Sequence, residues 1–567
     1  MKFSEIIKNN KALNGQLETP SYKIAILSNI MVHQTKDICE YWLRSDLVNA
    51  DVLVGGYDNI VQDSHKFKES DAVIIFWETC NILDGLQYKI ELMGDKEIDE
   101  IAQKVKLEID IVLKNLKKTS LVIINKFSSL VFNRYSINMS KLNLLENILN
   151  EYLEVNIRLN VRLVDIEKII SNVSIDKAID LRFYYSSKTF YSFIFYKKYF
   201  QYIKPMVLAA VGRTKKALIL DCDNTLWKGI LGEDGFDNIK VFEEIQYLSL
   251  MLSRRGVIVG LCSKNNLQDV NEVLDNHPDM ILRDKDIVIK KINWNDKVTN
   301  LREIAKELNI GLDSIVFLDD SDFEVDLVRS ELPEVRVYKV PANEHEYGVL
   351  FRRVASLFYS FTNTREDRNK VQFYKDQIKR ADVKDSFGDI ESYLATLGLK
   401  LTIYKDDLSQ VERLAQLSQK TNQFNLTTKR YTEVDVINII KSTDQMLMSF
   451  SVSDKYGDSG ITGLAVFDFR NSMLDSLLLS CRVLGRNIEF AFMNAIVEML
   501  KQRGLFKIES SYVRTVKNDQ VSNFYEKCGF SKNIGLRTDS NIVSSYFIIL
   551  DDYKNINIDY IEVVYGE

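Results

Sequence analysis

Cysteine, proline and histidine are all scarce in this chain of 567 residues. The six cysteines are scattered and form no Cys-x-x-Cys pair, so the sequence predicts neither a disulfide framework nor a zinc site. They are Cys39, Cys80, Cys222, Cys262, Cys481 and Cys528. With four histidines, catalysis based on histidine has few candidates. Because there are only five prolines and no low-complexity linker, domain boundaries must be inferred from the pattern of apolar residues.

Long apolar runs and an excess of positive charge are also missing. No stretch approaches the ~20 uninterrupted apolar residues that a membrane-spanning helix needs, and residues 1–5 lack the apolar region of a signal peptide. The net charge of −6 argues against a nonspecific nucleic-acid binder and leaves no polybasic patch for a membrane surface. We therefore expect a cytoplasmic protein with no membrane insertion and no nucleic-acid partner.

The chain is long enough for three or more domains. Residues 1–180 alternate short apolar strands with helical stretches, which predicts an α/β domain. Residues 181–212 are expected to form a helical linker, followed by a second α/β unit at 213–365 and a charged helical linker at 366–395. Residues 396–567 contain several strands before one amphipathic helix, which indicates an α+β domain.

Three apolar strands of the second unit end in polar residues. The first runs into Asp221 and Asp223, the second into Ser263 and the third into Asp319, while Lys297 opens an amphipathic helix between the last two. If the strands are neighbours, their carboxyl ends place these groups in one crevice. Phosphoryl transfer needs such a set of nucleophile, proton donor, metal and fixed positive charge. Two aspartates spaced i, i+2 could alone be an acidic turn that caps a helix, but the full set favours a phosphoryl-handling site.

These pieces resemble the haloacid dehalogenase (HAD) superfamily, and the string from Asp221 to Gly235 resembles its FkbH-like branch, subfamily IIIC. The resemblance implies a Rossmann-like domain in which Asp221 is the nucleophile or its remnant and Asp223 is the general acid/base. Asp320 would be a supporting carboxylate. By position, the resemblance also implies phosphate binding by Thr225, Ser263 and Lys297, and a Mg²⁺ site at Asp221, the Asp223 carbonyl and Asp319.

Two features around this site bear on its substrate: the residues after the double aspartate and the spacing between the motifs. After the double aspartate the family continues Asn-Pro, whereas this chain reads Ser321-Asp322, which leaves the loop's substrate contacts open. Only 34 positions separate Ser263 from Lys297, so no cap domain fits there, and the insert after the first motif is a short flap at Gly229 to Gly235. A capless site suits a macromolecular substrate, such as an acyl group on a carrier-protein arm, whereas a capped one suits a free metabolite.

The C-terminal domain resembles the GNAT acyltransferases in two places. Arg482, Gly485 and Arg486 form an Arg-x-x-Gly loop before a helix, which in that family holds the pyrophosphate of pantetheine or coenzyme A. Tyr525 stands where that family has a tyrosine that can protonate the departing thiolate. Both features also have a purely structural interpretation. The loop could be a strand-to-helix turn, and Tyr525 could be a packed aromatic side chain. Two further stretches resemble FkbH-like signatures, namely Lys420 to Leu426 and Thr515 to Asn518.

The N-terminal domain faintly resembles an SGNH-hydrolase scaffold, through Ser28 at the end of a strand, Gly56 and Asn125. Such sites need an Asp-x-x-His to activate the serine. Here the corresponding place reads Asp165 to Lys168, with lysine instead of histidine. We therefore expect a degenerate, noncatalytic domain.

FkbH-like proteins are associated with moving a glyceryl group from 1,3-bisphosphoglycerate to an acyl carrier protein with loss of phosphate. The resemblance implies this reaction for a cytoplasmic Mg²⁺-dependent enzyme with a small phosphorylated metabolite and a carrier protein as partners, in polyketide, lipid or surface-glycan assembly. A thioester route needs an accessible thiolate, for which Cys222 is the first candidate and Cys481 the second. The alternatives are a capless phosphatase acting on a phosphorylated protein or sugar, and a noncatalytic carrier-protein docking scaffold.

Overall fold

The computed structural model describes residues 1–17, 21–83, 89–133, 140–361, 372–377, 380, 390–515, 517–533 and 543–566. The chain divides into two compact units, Met1–Val211 with Tyr431–Asp435, and Gly212–Arg430 with Val436–Glu567. Of the linker predicted at 366–395, the parts other than 372–377, 380 and 390–395 lie outside the described residues, as does Val516. Each unit combines helices with a parallel sheet, so the chain is a multidomain α/β protein.

The first unit is built on a parallel sheet. Its strands are β1 (Tyr22–Ser28), β2 (Ala50–Tyr57), β3 (Ala72–Phe76), β4 (Leu121–Asn125) and β5 (Val161–Val164), in the order β2-β1-β3-β4-β5. The helices are α1 (Phe3–Leu13), α2 (Thr35–Arg44), α3 (Ile60–Lys66), α4 (Thr79–Ile82), α5 (Asp95–Asn115), α6 (Leu130–Asn133), α7 (Lys141–Val155), α8 (Ile166–Val173) and α9 (Ile175–Ala178). Strand β3 is buried at every position, as expected for a central strand that is covered on both faces.

The residues predicted as a helical linker, 181–212, contain α10 (Leu181–Ser187) and α11 (Phe193–Ala210). Helix α11 packs its aromatic face on the first sheet: the rings of Tyr196 and Tyr199 lie 5.8 and 4.7 Å from that of Phe76. The Tyr199 hydroxyl also donates to Asn125 Oδ1 at 2.8 Å. The aromatic stretch before and in α11 is therefore a core element of the first unit.

A second parallel sheet occupies the middle of the chain. Its strands are β6 (Ala217–Leu220), β9 (Ile258–Ser263), β10 (Ile289–Ile292), β11 (Ile315–Asp319) and β12 (Arg336–Lys339), in the order β10-β9-β6-β11-β12. A hairpin of β7 (Trp227–Lys228) and β8 (Lys240–Val241) follows β6. The helices are α12 (Leu231–Asp234), α13 (Glu243–Arg254), α14 (Leu267–Asn276), α15 (Lys297–Glu307), α16 (Asp322–Glu331) and α17 (Glu344–Ser356).

Residues 390–566 form a mixed sheet with helices. Its strands are β13 (Leu399–Lys405), β14 (Phe424–Asn425), β15 (Gln445–Asp454), β16 (Gly457–Asp468), β17 (Met473–Leu479), β18 (Lys507–Val513), β19 (Ser531–Lys532), β20 (Val543–Ile549) and β21 (Ile561–Tyr565). The order is β19-β20-β18-β17-β16-β15-β13-β21, and β14 pairs with β17 off this path. The helices are α18 (Ile390–Ala395), α19 (Val411–Lys420), α20 (Glu433–Ile440), α21 (Ile488–Gln502) and α22 (Phe524–Lys527).

Among the residues that the structure describes, no helix is both long and apolar enough to cross a membrane.

Candidate active site

The predicted site residues of the middle sheet meet at its carboxyl edge. Strands β9, β6 and β11 are neighbours and run parallel, so the residues that end or follow them lie side by side. Asp221 follows β6, Ser263 ends β9 and Asp319 ends β11. Only the β7–β8 hairpin and α12 separate β6 from α13, and only α14 and β10, with their loops, lie between Ser263 and Lys297. The site therefore has a short flap and no cap domain, as the spacing predicts.

Three carboxylates form a cluster at this edge. One oxygen each of Asp221, Asp319 and Asp320 lies within 4.8 Å of the others. Burial and the nearby charge of Asp221 raise the pKa of Asp319 to about 6, and the same two causes raise the pKa of Asp320. The sequence prediction treated Asp320 only as a supporting group. The signal that it belongs with the other two was its position directly after a strand-ending aspartate.

Lys297 lies between two of these carboxylates. Its ammonium, 3% exposed, donates to Asp221 Oδ1 and to the Cys262 carbonyl (2.7 Å), and it lies 3.3 Å from Asp319 Oδ2. Burial lowers the pKa of the Lys297 ammonium, but the charges of Asp221 and Asp319 outweigh burial and raise it. Lys297 is thus a fixed positive charge, held at the start of α15 whose N-cap is Asp296.

The donor set fits a hard divalent cation. Three carboxylates against one ammonium leave a formal charge of −2, and carboxylate oxygens are the ligands that Mg²⁺ prefers. Asp319 Oδ2 is buried, and the Lys297 ammonium at 3.3 Å is its ion-pair partner. Asp221, Asp319 and Asp320 could therefore hold Mg²⁺. The predicted contribution of the Asp223 carbonyl stays a prediction.

The Asp223 side chain is not one of the three clustered carboxylates and is held by three donors. Its Oδ1 accepts from the Trp227 indole (2.9 Å) and the Leu231 amide (3.2 Å), and its Oδ2 accepts from Asn265 Nδ2 (2.9 Å). Burial raises the pKa of Asp223, although these hydrogen bonds oppose the shift. A carboxyl that keeps its proton more readily than usual suits a general acid. Sequence reasoning missed Trp227 and Asn265, because neither is a titratable group.

Two hydroxyls predicted to bind phosphate are buried at the same edge. Ser263 Oγ accepts from Asn265 Nδ2 at 3.3 Å. The Thr225 side chain is fully buried, and its hydroxyl finds no hydrogen-bond partner among the described residues. Both hydroxyls are buried in this structure, and their binding of phosphate stays a prediction.

Cys222, the first candidate for a reactive thiol, is inaccessible in this structure. Its side chain is fully buried and packs with Leu218 and Leu220 in the apolar core of this domain. Burial, and then the charge of Asp221, raise the pKa of the Cys222 thiol well above its usual range. Side chains alternate across a strand, so Cys222 follows Leu218 and Leu220 to the core while Asp221 and Asp223 take the other side. Cys481, the second candidate, is partly exposed.

The arginine side chains of the predicted pantetheine loop are already engaged. Arg486 donates to Asp454 Oδ2 (3.3 Å) and to the Arg482 carbonyl (2.7 Å), and the Arg482 guanidinium lies 4.8 Å from the ring centre of Phe373. Burial, and then the charge of Arg380, lower the pKa of Arg486 to about 10. The side chains of Arg482 and Arg486 therefore hold the loop in this conformation, and binding of a pyrophosphate by the loop stays a prediction.

The other two predicted groups of this domain differ in exposure. Gly485 has a φ of +77° with open space where a Cβ would stand, so the loop's backbone remains accessible. Tyr525 is 1% exposed, and its ring packs against Phe530 and Tyr546 at 5.2 and 5.3 Å. Burial raises the pKa of the Tyr525 hydroxyl above its usual range. Tyr525 is thus a packed aromatic side chain in this structure, and its catalytic role stays a prediction.

The chain itself fills the gap beside this loop. Strands β17 and β18 pair at two positions, Met473 with Glu509 and Leu474 with Ser510, and then separate. Leu426 lies in the gap: its N–H donates to the Leu477 carbonyl (3.2 Å) and its carbonyl accepts from the Val513 N–H (2.8 Å). In the register of the paired part, Leu477 and Val513 would otherwise face one another. Asn518, fully buried, secures the insertion by donating to the Asn425 carbonyl at 2.9 Å. Both FkbH-like signature stretches therefore have a structural role.

The N-terminal residues that suggested a hydrolase are engaged in structural contacts. Ser28 is buried and accepts from the Ile30 N–H at 3.0 Å, and the Gly56 N–H donates to Asp63 at 2.6 Å. Lys168, in the family's histidine position, is exposed and pairs with Asp165 at 3.2 Å. Its ammonium cannot accept the proton of a serine, so the expectation of a noncatalytic domain stands as a prediction.

No family model and no curated protein match this chain. Two solved structures align with part of it at low overall similarity. The spermidine/spermine N-acetyltransferase SpeG from Vibrio cholerae is 17% identical and covers 27% of this chain and 95% of its own, with a TM-score of 0.22. Ard1 from Thermoplasma volcanium is 16% identical and covers 26% of this chain and 97% of its own, with a TM-score of 0.21.

A larger part of the chain is similar to the N-terminal part of the protein BF1531 from Bacteroides fragilis. That structure contains a phosphatase domain and is complexed with Mg. It is 25% identical and covers 64% of this chain and 100% of its own, with a TM-score of 0.56. This chain therefore shares its fold over most of its length with a protein part that contains a phosphatase domain.

Proposed function

We propose that the middle domain is a Mg²⁺-dependent phosphoryl-transfer site of the HAD type. The observation that carries the proposal is the cluster of Asp221, Asp319 and Asp320 around the buried Lys297 ammonium at the carboxyl edge of a parallel sheet. The similarity to a phosphatase-containing structure complexed with Mg supports it. Asp221, Asp319 and Asp320 would hold the ion.

In this proposal each side chain has one task. The Asp221 carboxylate attacks phosphorus, so an O–P bond forms on Asp221 as the bond to the leaving oxygen breaks. Asp223 gives its proton to that leaving oxygen. Lys297 and Ser263 hold the phosphoryl oxygens through an ammonium and a hydroxyl. Bound Mg²⁺ would withdraw charge from the same oxygens.

The finer proposal, which rests on the FkbH-like resemblance, is transfer of a glyceryl group from 1,3-bisphosphoglycerate to an acyl carrier protein. Because Cys222 is buried, the acceptor thiol is that of the carrier's phosphopantetheine. Its sulfur attacks the acyl carbon, a C–S bond forms, the C–O bond breaks and phosphate leaves. The capless site supports this, since a tethered arm could reach it. Attack of Asp221 on phosphorus would instead release the free acid, so the two routes break different bonds.

The test is incubation of the full chain with Mg²⁺, 1,3-bisphosphoglycerate and a phosphopantetheinylated carrier in H₂¹⁸O, followed by intact mass of the carrier and of the released phosphate. A glyceryl adduct with unlabelled phosphate supports acyl transfer. Labelled phosphate without an adduct contradicts acyl transfer and favours the capless phosphatase acting on a phosphorylated protein or sugar. A reaction without the chain gives the background of spontaneous hydrolysis.

Variants of two aspartates separate catalysis from scaffolding. Asp221→Asn should abolish both products, because the nucleophile and a carboxylate of the cluster are lost together. The matched control is Asp326→Asn, an exposed aspartate of α16 in the same domain. If Asp221→Asn retains the activity of the control, the catalytic proposal is wrong and the noncatalytic docking scaffold is favoured.

A further inference from the structure

We propose that Asn265 is a positioning residue that holds the Asp223 carboxyl so that its Oδ2 meets the leaving oxygen. The inference rests on the proposed phosphoryl-transfer function and adds a residue to it. Asn265 is 6% exposed and lies just after β9, outside the set of groups that touch the reacting phosphate. Its amide nitrogen lies 2.9 Å from Asp223 Oδ2 and 3.3 Å from Ser263 Oγ. One amide group thus connects the proton donor to a phosphate-binding hydroxyl.

The two oxygens of Asp223 have different surroundings. Oδ1 accepts two N–H groups, from the Trp227 indole and from the Leu231 backbone. Because Oδ1 already accepts two N–H groups, Oδ2 is the oxygen that can take a further partner. Asn265 occupies one side of Oδ2 and leaves the other side for the leaving oxygen. Without Asn265, the carboxyl is held through Oδ1 alone, and Oδ2 loses the donor that fixes its position.

The identity of the amide atoms follows from the partners. If the Asn265 amide were reversed while Asp223 is ionised, its carbonyl oxygen would face Asp223 Oδ2, and two oxygens without a shared proton would repel. The nitrogen therefore points at Asp223, which makes Asn265 a hydrogen-bond donor there. A donor role makes a prediction that a space-filling role does not: Asn265→Asp, of equal size but without the N–H, should be at least as damaging as Asn265→Ala.

The experiment compares two phosphate monoesters on the full-length protein with Mg²⁺. p-Nitrophenyl phosphate releases a stable anion that needs little protonation, whereas an alkyl phosphate releases an alkoxide that needs a proton. We expect Asn265→Ala and Asn265→Asp to lower kcat for the alkyl ester by about 10- to 100-fold, a part of what a general acid contributes. We expect only a few-fold loss with the nitrophenyl ester and an unchanged KM.

The matched control is Asn266→Ala. Asn266 is the adjacent residue, and its side chain accepts from the Gln268 N–H as the N-cap of α14. This variant disturbs the same loop without touching Asp223, so it should affect both esters equally. Equal losses on the two esters for Asn265→Ala, or an Asn265→Asp variant as active as wild type, would overturn the positioning role.

A second readout does not depend on turnover. The protein labelled with 5-fluorotryptophan has four ¹⁹F signals, from Trp42, Trp77, Trp227 and Trp294, and Trp227→Phe assigns one of them. Because Trp227 shares Asp223 with Asn265, Asn265→Ala should shift the Trp227 signal alone, and Asn266→Ala should leave it in place. An unmoved Trp227 signal in Asn265→Ala contradicts the inference. If the wild-type protein hydrolyses neither ester, the proposed function fails, while the fluorine spectrum still decides on Asn265.

Discussion

Coenzyme A should not enter the gap between β17 and β18, because residues 424–426 already occupy it. The arm of a ligand whose pyrophosphate lies at the loop of Arg482 to Arg486 would run along β17, since this loop directly follows that strand. Leu426 and its neighbours take the hydrogen bonds that such an amide-bearing arm would make. Binding therefore requires the inserted segment to leave.

The contacts of residues 424–426 determine how much free energy is needed to move this segment out of the gap. Phe424 and Leu426 are 2% and 0% exposed, and exposing two such side chains costs about 3–6 kcal/mol. Three hydrogen bonds, two of Leu426 and one between Asn518 and Asn425, add about 1.5–4.5 kcal/mol. A total of about 5–10 kcal/mol weakens binding by about 10³- to 10⁷-fold. A ligand with an intrinsic micromolar Kd would then bind at millimolar concentration or worse.

Isothermal titration calorimetry of the full chain with acetyl-coenzyme A should therefore show no binding heat up to about 1 mM. Hydrogen exchange of the amides of Leu426 and Val513 should be slow and unaffected by the ligand, because both donate within the closed gap. A micromolar Kd, together with faster exchange at these amides, would refute the closure. Leu426→Ala should weaken the closure, whereas Leu408→Ala, at an exposed leucine of the same domain, should change nothing.

Three further predictions concern charge. Burial raises the pKa of Glu78 to about 7 from 4.5, so the folded state holds its proton longer than the unfolded chain. The first unit should then lose about 3 kcal/mol as pH rises from 4.5 to 7, and thermal unfolding of Glu78→Gln should lack this dependence. Asp454→Asn leaves the buried Arg380 and Arg486 unpaired and should cost about 3–5 kcal/mol. The control is Asp444→Asn, which breaks an exposed pair with Arg470 and should cost less than about 1 kcal/mol. If chemical denaturation shows equal losses of unfolding free energy for Asp454→Asn and Asp444→Asn, this reasoning is wrong. Mg²⁺ at about 100 times its Kd should stabilise the wild type by about 2.7 kcal/mol, and a melting shift that Asp320→Asn retains in full would remove Asp320 from the ion's ligands.

The central strands could be predicted from the sequence because they are continuous apolar runs. Strands β1, β3, β6, β9 and β11 all have this pattern and lie inside their sheets. In the middle sheet, the edge strands β10 and β12 were missed. Strand β10 reads Ile-Lys-Lys-Ile and β12 reads Arg-Val-Tyr-Lys, and an edge strand can carry such charges because one of its sides is open to solvent.

The site was predictable to the extent that it consists of charged residues at strand ends. The approach of Asp221, Asp319 and Lys297 follows from strand order and needs no side-chain detail. The contacts of Asp223 with Asn265 and Trp227 were not predictable, because neutral donors across a loop leave no pattern in the sequence. The insertion of Leu426 between β17 and β18 was also not predictable from the sequence, because a single inserted residue produces no periodic pattern of apolar residues.

The position of Cys222 changes what an acyl-transfer reaction at this site would require. Of the two cysteines beside the carboxylate cluster, Cys222 is fully buried and Cys262 lies within β9 with its thiol pKa raised to about 12 by burial. Neither thiol can become a thiolate at neutral pH or meet a substrate from solvent. Cys481 is the only partly exposed cysteine of the six, and it belongs to the C-terminal loop rather than to this edge. An acyl group activated at the cluster must therefore pass straight to a thiol brought from outside. A carrier that lacks phosphopantetheine should then receive no adduct. Cys481→Ser, which removes the one partly exposed cysteine, should leave the transfer intact.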